Sequence, residues 1–463
     1  MTMPLWTSPE IEAATGGRAS VAFEATGVTF DSREVGPGDL FVAMPGTTHD
    51  GHNFAAQAFA SGAAAALVSK TVDGPHVLVD DVPAALTALA LAARERMKGV
   101  VLGVTGSVGK TSTKEALAAA LERSRRGPVH KSVKSYNNHT GVPLSLARMP
   151  REAAFAVLEM GMNNAGEIAA LAALVRPHVA IVTAIASAHI ENLGSVEAIA
   201  DAKGEIFSGL VSDGIAIIPE DSRQRDRLVR SARDHANSVV TFGLSQDADV
   251  TALHAVRSED GGFLITARLL DSELTYTLSQ RGEHWVSNSL AVLAAVEAVG
   301  GDVAAAGLAL ADMAGLKGRG ERHRIALENG EALLIDESYN ANPASMAATL
   351  KSLGAEEANR RIAVLGPMRE LGEHADQLHA GLAEPVLEAK VDRLILIGGD
   401  MAPLDKALAG HVAIDRAATV EEATDLLLAL LRPGDAVLVK ASNSVGLARL
   451  VERVTESRVT CST

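Results

Sequence analysis

The strongest constraint on the fold is a glycine-rich turn between a buried strand and a helix. Residues 103–112 read GVTGSVGKTS; they follow the apolar run 100–104 and precede the helical stretch 114–123. Glycines let the backbone curl so that several N–H groups point at one phosphate cluster, and the following helix adds its dipole. Val104 stands where the strict pattern has a glycine. The strand–loop–helix context still predicts an ATP or GTP site in an α/β domain.

Side chains in this loop fit phosphate and metal chemistry. Lys110 would neutralise the β- and γ-phosphates, and the hydroxyl of Thr111 would ligate magnesium. The residues expected to contact the nucleotide phosphates are Gly106, Ser107, Gly109, Lys110, Thr111 and Ser112. A glycine-rich turn without a nucleotide is the alternative interpretation. Switches, motors, kinases and ligases all use such a loop, so the loop leaves the reaction open.

Apolar runs continue along the chain in a pattern of strand, loop and helix. In the central region strands are expected at 155–158, 179–185 and 215–218, with helical spacing at 168–175. Continuous apolar strands that alternate with helices predict a parallel sheet covered on both faces. After residue 318, strands are expected at 333–335, 362–365, 394–397, 411–414 and 436–439. Most of these lead into polar or glycine-rich residues, where open α/β sheets place ligands.

The first 83 residues have shorter strand-like runs, at 28–30, 40–43 and 77–79, with an alanine-rich helix at 54–61. Pro83 then opens a connecting helix at 84–97, since proline is tolerated in a first helical turn. The sequence thus predicts an α/β protein of three domains. These are a small α/β domain at 1–83, a central parallel-sheet domain with the phosphate loop at 84–317, and a Rossmann-like α/β domain at 318–463.

Composition excludes several other classes of protein. Hydrophobic residues make up 47% of the chain and aromatic residues only 3%, so the cores must be aliphatic, which suits helices packed on parallel strands. The net charge of −15 disfavours nucleic acid or an anionic membrane as a partner. The single cysteine, Cys461, allows no disulfide or thiolate zinc site within one chain. Without a signal-peptide pattern or an apolar stretch of membrane-spanning length, a cytoplasmic location is expected.

Three polar residues of the central region invite a functional interpretation. Glu159 ends the strand at 155–158, where a magnesium ligand belongs beside a phosphate loop. His189 follows the next strand, and Lys203 lies further on in AKGE at 202–205. Singly, each has an ordinary alternative: a helix-capping glutamate, a surface or core histidine, and a solvated lysine. Their value comes from their conjunction, which requires a family pattern.

Together these motifs resemble the Mur ligases over nearly the whole chain. The phosphate loop, NNHTGVP at 137–143, Glu159, His189 and AKGE at 202–205 stand in that family's order and spacing. The N-terminal segment, with DSR at 31–33, GDLFVA at 38–43 and DGHNF at 50–54, resembles the family's UDP-sugar-binding domain. The substrate contacts that this resemblance implies there are Ser32, Arg33, Gly46 and Asp50.

The third region resembles one branch of the family. DESYNANP at 336–343 is similar to the signature of the ligases that add D-alanyl-D-alanine, and the Asp-Tyr-Ala-His and Asn-Pro-Arg motifs of the diaminopimelate-adding branch are absent from the sequence. The resemblance implies an ATP-dependent ligase that joins D-alanyl-D-alanine to UDP-N-acetylmuramoyl-tripeptide through an acyl phosphate, in peptidoglycan synthesis. A monomer is expected.

The resemblance also implies roles for individual residues. Thr111 and Glu159 would hold a first magnesium ion, and His189 a second, together with Lys203 if its side chain is carbamylated. Asn288 would approach the adenine and Asp336 the ribose of ATP. Arg319 would reach the γ-phosphate, with Asn340 close to the nucleotide. The residues expected to act in catalysis are Lys110, Lys203, His189 and Arg319.

Three positions depart from the family pattern, and several alternatives stay open. Trp285 replaces a common asparagine, which bears on one nucleotide contact. Pro367 replaces an expected aspartate and Asn443 an expected arginine, and the missing arginine weakens the assignment of contacts to D-alanyl-D-alanine. Another amide ligase, such as the diaminopimelate-adding enzyme or folylpolyglutamate synthase, is the nearest rival. A phosphate-loop binding module or switch without ligase chemistry is a rival from another class. The third residue of the acceptor peptide, lysine or diaminopimelate, is also open.

Overall fold

The computed structural model describes residues 3–46, 49–124, 126–259 and 261–456, and Cys461 lies outside these ranges. Three large sheets follow one another along the chain, formed by strands within 18–78, 100–278 and 321–440. All three are α/β arrangements, so the predicted fold class is confirmed. None of the helices in the described ranges combines the length and the apolar character that a membrane span requires. The predicted domain boundaries near 83 and 317 fall between the sheets and stay a prediction.

The N-terminal region is built on a five-stranded sheet of order β2-β7-β6-β5-β4, in which only the β2–β7 pair is antiparallel. The strands are β1 Trp6–Thr7, β2 Arg18–Ala19, β3 Glu24–Ala25, β4 Gly27–Thr29, β5 Asp39–Val42, β6 Ala65–Val68 and β7 His76–Leu78, with β1 paired to β3. The helices are α1 Ser8–Thr15, α2 Ala55–Ala60 and α3 Val82–Arg96. Strand β6 is missing from the sequence prediction, because its alanines resemble the preceding helix.

The central region has a nine-stranded sheet of order β16-β15-β14-β13-β12-β11-β8-β10-β9. Its strands are β8 Val100–Thr105, β9 Val129–Lys131, β10 Phe155–Glu159, β11 Val179–Val182, β12 Ile215–Pro219, β13 Ser238–Gly243, β14 Val250–Arg257, β15 Phe263–Arg268 and β16 Glu273–Leu278. Its helices are α4 Lys110–Arg123, α5 Gly141–Ala147, α6 Glu167–Val175, α7 Ile190–Leu193, α8 Val196–Gly204, α9 Arg225–Arg233, α10 Glu283–Ala298 and α11 Val303–Ala311.

Three details of the central region differ from the sequence prediction. The sheet is not wholly parallel, because β14, β15 and β16 pair antiparallel at one edge. Strand β11 ends at Val182 rather than 185, because Thr183 and Ala184 turn toward the phosphate loop, where the Thr183 hydroxyl donates to the Val108 carbonyl at 2.5 Å. Helix α4 begins at Lys110, four residues before the predicted start, since the glycine turn leads directly into it.

The C-terminal region has a six-stranded sheet of order β17-β18-β22-β19-β20-β21, parallel except for the β17–β18 hairpin. Its strands are β17 Glu321–Leu327, β18 Gly330–Glu337, β19 Arg360–Leu365, β20 Arg393–Ile397, β21 Ala413–Ala417 and β22 Asp435–Lys440. Its helices are α12 Pro343–Gly354, α13 Ala375–Ala380, α14 Ala383–Glu388, α15 Ala402–Ala407, α16 Val420–Leu430 and α17 Ala448–Glu456. Strand β21 lies later than the predicted 411–414, because Ala409–Gly410 still belongs to the preceding turn.

Aliphatic cores join the first two regions and separate the third. One buried cluster runs from Trp6 and the N-terminal sheet across α3 to one face of the central sheet, where it includes Phe207. A second cluster fills the other face beneath α4 and α10. The C-terminal sheet has its own core on each face. Parallel strands buried on both faces direct their carboxyl ends to one edge, and that edge carries the site.

Candidate active site

The phosphate loop is tightly curled and closed by its own lysine. Gly106 and Gly109 have φ angles of +147° and +86°. A Cβ atom on Gly106 would lie 2.0 Å from the Thr183 hydroxyl oxygen, so a side chain there would collide with the end of β11. The Lys110 Nζ donates to the Gly106 carbonyl at 2.6 Å. Burial lowers the pKa of Lys110, so a nearby anion is what would favour its charged form.

Oxygen ligands of the kind that magnesium prefers meet below the loop. The Thr111 hydroxyl donates to Glu159 Oε2 at 2.9 Å and lies 3.1 Å from the Ser135 hydroxyl. The other Glu159 oxygen accepts from the Asn137 amide at 2.8 Å. Glu159 is 1% exposed, and its backbone N–H donates to the Ser132 hydroxyl at 3.0 Å. Two hydroxyls, an amide and a carboxylate on buried, fixed backbone form a donor set that fits a magnesium ion.

Lys203 is fully buried, and its ammonium group has no hydrogen-bond partner among the described residues. Burial, with a contribution from the Lys110 charge, lowers its pKa well below the usual value. The lowered pKa favours the neutral amine, which is the form that reacts with carbon dioxide to give a carbamate. An orphaned lysine nitrogen therefore fits the predicted carbamylation, which would replace an unpaired amine by an anionic oxygen donor.

His189 lies where the central and C-terminal regions meet. Its Nδ1 is 2.5 Å from Oε2 of Glu370, an ion-pair distance, although the angle does not meet hydrogen-bond geometry. The His189 contact lowers the pKa of the Glu370 carboxyl. Both residues adopt positive φ angles, +62° and +63°, and the Glu191 N–H reaches the Glu370 carbonyl at 3.4 Å. A carboxylate from another sheet thus contacts the predicted metal ligand, as is common for histidines that bind metal.

Arg319 reaches the phosphate loop from the C-terminal side. Its guanidinium carbon lies 4.1 Å from the centre of the Tyr339 ring, and its Nη2 donates to the Ser135 hydroxyl at 3.4 Å. Asp336, predicted to contact the ribose, accepts hydrogen bonds from neighbouring backbone. It is 2% exposed, and its two oxygens accept from the backbone N–H groups of Gly318 and Ser338, both at 3.0 Å. The aspartate therefore holds the loop that carries Arg319.

A cavity of about 750 Å³ brings most of the predicted nucleotide residues together. The predicted residues that line it are Ser107, Gly109, Lys110, Thr111, Ser112, Glu159, His189, Asn288, Arg319 and Asn340. Gly106, Lys203 and Asp336 lie behind this lining rather than in it. The side-chain amide of Asn288 lies 3.0 Å from the Cβ position of Gly109, so the start of α10 faces the glycine turn. One cavity thus has walls from two sheets.

Several residues that line the cavity were not assigned a role from the sequence. They include Ser135, Asn137, His139, Trp285, Tyr339 and Lys440. Lys440 is 2% exposed and donates to the Asn340 carbonyl at 2.9 Å, so it supports the loop after β18. His284, beside Trp285, also lines the cavity. The sequence places these residues after a strand or beside a recognised motif, but it does not show whether their side chains point into the cavity.

The four predicted UDP-sugar residues do not line this cavity, and their polar groups contact their own region. Arg33 forms two hydrogen bonds with Asp31, at 2.8 and 2.6 Å, and this partner lowers the pKa of Asp31 to about 2. The Ser32 hydroxyl donates to Gln57 at 3.3 Å. Asp50 accepts from His52 and from Lys70, and the Gly46 N–H donates to the His49 carbonyl at 3.0 Å.

One loop of the central region connects the N-terminal region with the phosphate loop. Lys134 pairs with Glu34, which directly follows Ser32 and Arg33 in the chain. The ring centres of Phe30 and Tyr136 are 5.3 Å apart. Between these contacts stands Ser135, whose hydroxyl meets both Thr111 and Arg319. Residues 134–136 therefore contact both sites: Lys134 and Tyr136 contact the predicted substrate loop, and Ser135 contacts the predicted metal site.

The departures at Pro367 and Asn443 lie in adjacent loops. The Pro367 carbonyl accepts from the Ser442 N–H at 3.1 Å, and the Ser442 hydroxyl accepts from the Arg369 N–H at 2.9 Å. Asn443 lines the cavity, whereas the Arg369 side chain faces away and pairs with Asp400 at 2.6 Å. The two departures from the family pattern therefore lie in loops that hydrogen-bond to each other.

Comparisons with known proteins agree with this architecture. The chain matches the catalytic domain of the Mur ligase family over residues 24–97, the Mur ligase middle domain over 104–296 and the Mur ligase glutamate ligase domain over 318–443. A protein of Bacillus subtilis (strain 168) is 35% identical over 96% of this chain and 97% of its own. A protein of Escherichia coli (strain K12) is 36% identical over 93% of this chain and 94% of its own. The chain belongs to the Mur ligase family.

Within the family, both relatives are named UDP-N-acetylmuramoyl-tripeptide--D-alanyl-D-alanine ligase. A crystal structure of MurF from Acinetobacter baumannii has a TM-score of 0.84 and 29% identity, and covers 97% of this chain and 99% of that one. MurF ligase from Thermotoga maritima, in complex with ADP, has a TM-score of 0.76 and 28% identity, and covers 94% of this chain and 98% of that one. The resemblance to the D-alanyl-D-alanine-adding branch, drawn from DESYNANP, is confirmed by these relatives.

Proposed function

We propose that this chain is an ATP-dependent ligase that joins D-alanyl-D-alanine to UDP-N-acetylmuramoyl-tripeptide, with release of ADP and phosphate. The observation that carries the proposal is the cavity in which Lys110 and Thr111 of the central region face Arg319 and Asn340 of the C-terminal region. Two full-length relatives that bear this activity in their names support it. The reaction would supply the pentapeptide precursor of peptidoglycan.

The chemistry explains why a phosphate site is needed. A carboxylate and an amine do not form an amide at neutral pH without activation. In the proposed reaction, the terminal carboxylate of the tripeptide attacks the γ-phosphorus of ATP, and the bond to the β-phosphate oxygen breaks to give an acyl phosphate and ADP. The amine of D-alanyl-D-alanine then attacks the acyl carbon, loses a proton, and phosphate leaves with the activated oxygen.

The first step brings two anions together, and the cations of the cavity would offset their repulsion. Lys110 now donates to the Gly106 carbonyl; we infer that it turns to the β- and γ-phosphates when the nucleotide binds. Arg319 approaches from the opposite wall, where its guanidinium would reach the γ-phosphate. Preorganised charges of this kind stabilise developing charge without reorganisation during the reaction.

Two magnesium ions fit the donor groups of this chain. Thr111 and Glu159 would hold the first, and His189 with carbamylated Lys203 would hold the second. When bound, these ions would neutralise the phosphate oxygens and orient the transferred group. Glu370 would fix the orientation of His189 through its Nδ1, leaving Nε2 for the metal.

Substrate and nucleotide contacts outside the loop follow from the same proposal. Asn288 would contact the adenine, since it lies beside Gly109 at the start of α10. Asn340 lines the cavity and would lie close to the nucleotide. We propose that the UDP-linked substrate binds through the N-terminal contacts, which are Ser32, Arg33, Gly46 and Asp50. Asp336 would contact the ribose while its carboxylate also accepts from the backbone N–H groups of Gly318 and Ser338.

Closure of the three regions would protect the intermediate. An acyl phosphate hydrolyses readily, so water must be kept from the cavity between the two steps. Holding the carboxylate, the phosphate and the amine in place could contribute ~7 to 11 kcal/mol to the barrier reduction. We further propose a monomer located in the cytoplasm, where ATP is available.

The deciding measurement is phosphate release from ATP and magnesium, with UDP-N-acetylmuramoyl-tripeptide and with or without D-alanyl-D-alanine. Release that requires both substrates, with one pentapeptide product per phosphate, is the expected result. Tripeptides that end in lysine and in diaminopimelate are assayed side by side to define the third residue. A parallel reaction of UDP-N-acetylmuramoyl-dipeptide, used in place of the tripeptide, with free diaminopimelate as the amine tests the nearest rival. Release that is independent of both substrates would overturn the proposal.

A further inference from the structure

The backbone on either side of Arg319 is fixed to the end of β18. Gly318 and Gly320 flank it with φ angles of +72° and +89°. The Gly318 N–H donates to the Asp336 carboxylate at 3.0 Å, and the Gly320 N–H donates to the Asp336 carbonyl at 2.9 Å. The Tyr339 N–H donates to the Gly318 carbonyl at 3.1 Å. Hydrogen bonds therefore tie this turn to the loop after β18. Arg319 stands between two residues whose positive φ angles favour glycine.

The side chain of Arg319 rests on an aromatic face. Its guanidinium carbon is 4.1 Å from the centre of the Tyr339 ring, a distance at which cation and ring attract each other. A Cβ atom on Gly318 would lie 3.0 Å from the Tyr339 Cβ, so the tyrosine packs directly against the turn. The Tyr339 hydroxyl forms no hydrogen bond with the described residues. The ring face, rather than the hydroxyl, makes the contact.

This platform directs the guanidinium toward the phosphate loop. Its Nη2 donates to the Ser135 hydroxyl at 3.4 Å, and Ser135 lies 3.1 Å from the Thr111 hydroxyl. Both Arg319 and Tyr339 line the cavity that Lys110 lines from the other side. A free arginine side chain samples many rotamers, and immobilising one on binding opposes affinity. A ring that already holds the guanidinium removes much of that entropic cost.

We propose that Tyr339 is a positioning residue that holds Arg319 for the third phosphate of the nucleotide, so that the pair discriminates ATP from ADP. The inference rests on the proposed function, in which the cavity binds ATP. Tyr339 acts through Arg319, and its ring needs no contact with the nucleotide. The consequence is selective: loss of the ring face weakens ATP binding and leaves ADP binding as it was.

The test measures dissociation constants for ATP and ADP with magnesium on the full chain by calorimetry. The expected result for Tyr339→Leu is weaker ATP binding by about 2-fold to 30-fold, the range that corresponds to one cation–π contact, with ADP binding unchanged. Tyr339→Phe keeps the ring face and should bind ATP as the unaltered chain does. Arg319→Lys keeps the charge but loses the planar stack, and should lose ATP selectivity like Tyr339→Leu.

A double-mutant cycle separates positioning from general damage. In the Arg319→Ala background, Tyr339→Leu should weaken ATP binding no further, because the residue that it positions is gone. Equal losses for ATP and ADP, a loss that persists in the Arg319→Ala background, or a Tyr339→Phe variant as weak as Tyr339→Leu would each overturn the inference. Thermal unfolding of each variant confirms folding, and if Tyr339→Leu unfolds, the Phe and Lys variants decide. An unaltered chain that binds neither nucleotide contradicts the proposed function instead.

Discussion

The phosphate loop was predicted from its own glycine-rich motif and the UDP-sugar residues from the family resemblance, and the two groups of residues differ in how the structure arranges them. Residues 106–112 form the glycine turn and the start of α4. The predicted residues among them that line one cavity are Ser107, Gly109, Lys110, Thr111 and Ser112. Ser32, Arg33, Gly46 and Asp50 stand on separate loops, and their polar groups are satisfied within the N-terminal region. A phosphate site made by contiguous backbone is complete before its ligand arrives. A sugar-nucleotide site assembled from separate loops must exchange internal contacts for ligand contacts, so the first region should be sensitive to single changes and the second more tolerant.

The largest expected effect is on the phosphate-loop side. Lys110→Met should lower the rate of substrate-dependent phosphate release by about 1,000-fold or more, because a preorganised cation at the phosphates is lost. The matched control is Lys351→Met, because Lys351 is 71% exposed and pairs with Glu283 at the surface. Steady-state phosphate release of both variants is the measurement. Comparable rates for the two variants would contradict the central role of the loop.

A second test concerns the buried lysine behind the cavity. Lys203→Ala should lower activity by about 100-fold, and Lys203→Arg by a similar factor, because a guanidinium cannot form a carbamate. Removal of bicarbonate and carbon dioxide should lower the activity of the unaltered chain, and their return should restore it. Mass spectrometry of the intact chain under bicarbonate is a readout that does not depend on turnover. Full activity of Lys203→Arg would show that any cation suffices at this position.

The N-terminal region should give a smaller and more selective effect. Arg33→Ala should raise KM for the UDP-linked substrate by about 10-fold, the effect of one hydrogen bond to a charged group. The dissociation constant for ATP should stay as it is, since Arg33 contacts Asp31 and not the cavity. The next residue, Glu34, pairs with Lys134 of the central region, so Glu34→Gln is the sharper comparison. If Arg33→Ala weakened ATP binding as well, the two regions would be coupled through that loop.

The smallest expected effect is on the free energy of unfolding, whose pH dependence should differ between the central and the N-terminal regions. His130 in the central sheet is partly buried with its Nε2 2.7 Å from the Ser145 carbonyl, and desolvation lowers its pKa from 6.5 to about 4. The unfolded chain therefore binds a proton between these pH values that the folded chain does not, so stability is lost as pH falls below 6.5. Between pH 6.5 and 5 this histidine should remove about 1–2 kcal/mol from the free energy of unfolding.

Urea unfolding at both pH values, on the unaltered chain and on His130→Gln, is the measurement for this effect. The variant should show less loss on acidification, since glutamine keeps a donor for Ser145 but does not titrate there. Asp31 in the N-terminal region behaves differently, because its pKa is lowered to about 2 and its stabilisation is lost only as pH falls from about 4 toward 2. An acid sensitivity above pH 5 that His130→Gln does not change would assign it to other groups.

Much of the fold was accessible to pattern reasoning. Glu159 at the end of β10 and the helix after the glycine turn were predicted, because apolar periodicity and turn chemistry are local properties. The antiparallel edge formed by β14, β15 and β16 was not predicted, although the alternating burial of β15 and β16 is the pattern of half-buried strands. The end of β11 was misplaced because a contact of Thr183 decides where the strand stops. The start of α4 was misplaced because the glycine turn leads directly into the helix.

The amino-acid sequence by itself determined the phosphate loop, the order of three α/β regions and the family, because each depends on residues that are close in the chain. The tertiary structure decided the rest. In the folded protein, burial leaves the Lys203 nitrogen without a hydrogen-bond partner among the described residues. Glu370 contacts His189, and the Tyr339 ring packs against the Arg319 guanidinium. Each of these contacts joins loops from different strands or different sheets, so their distances depend on how whole regions dock. Asp336 shows the same rule in reverse, because its motif was readable but only the packed backbone revealed which groups its carboxylate holds.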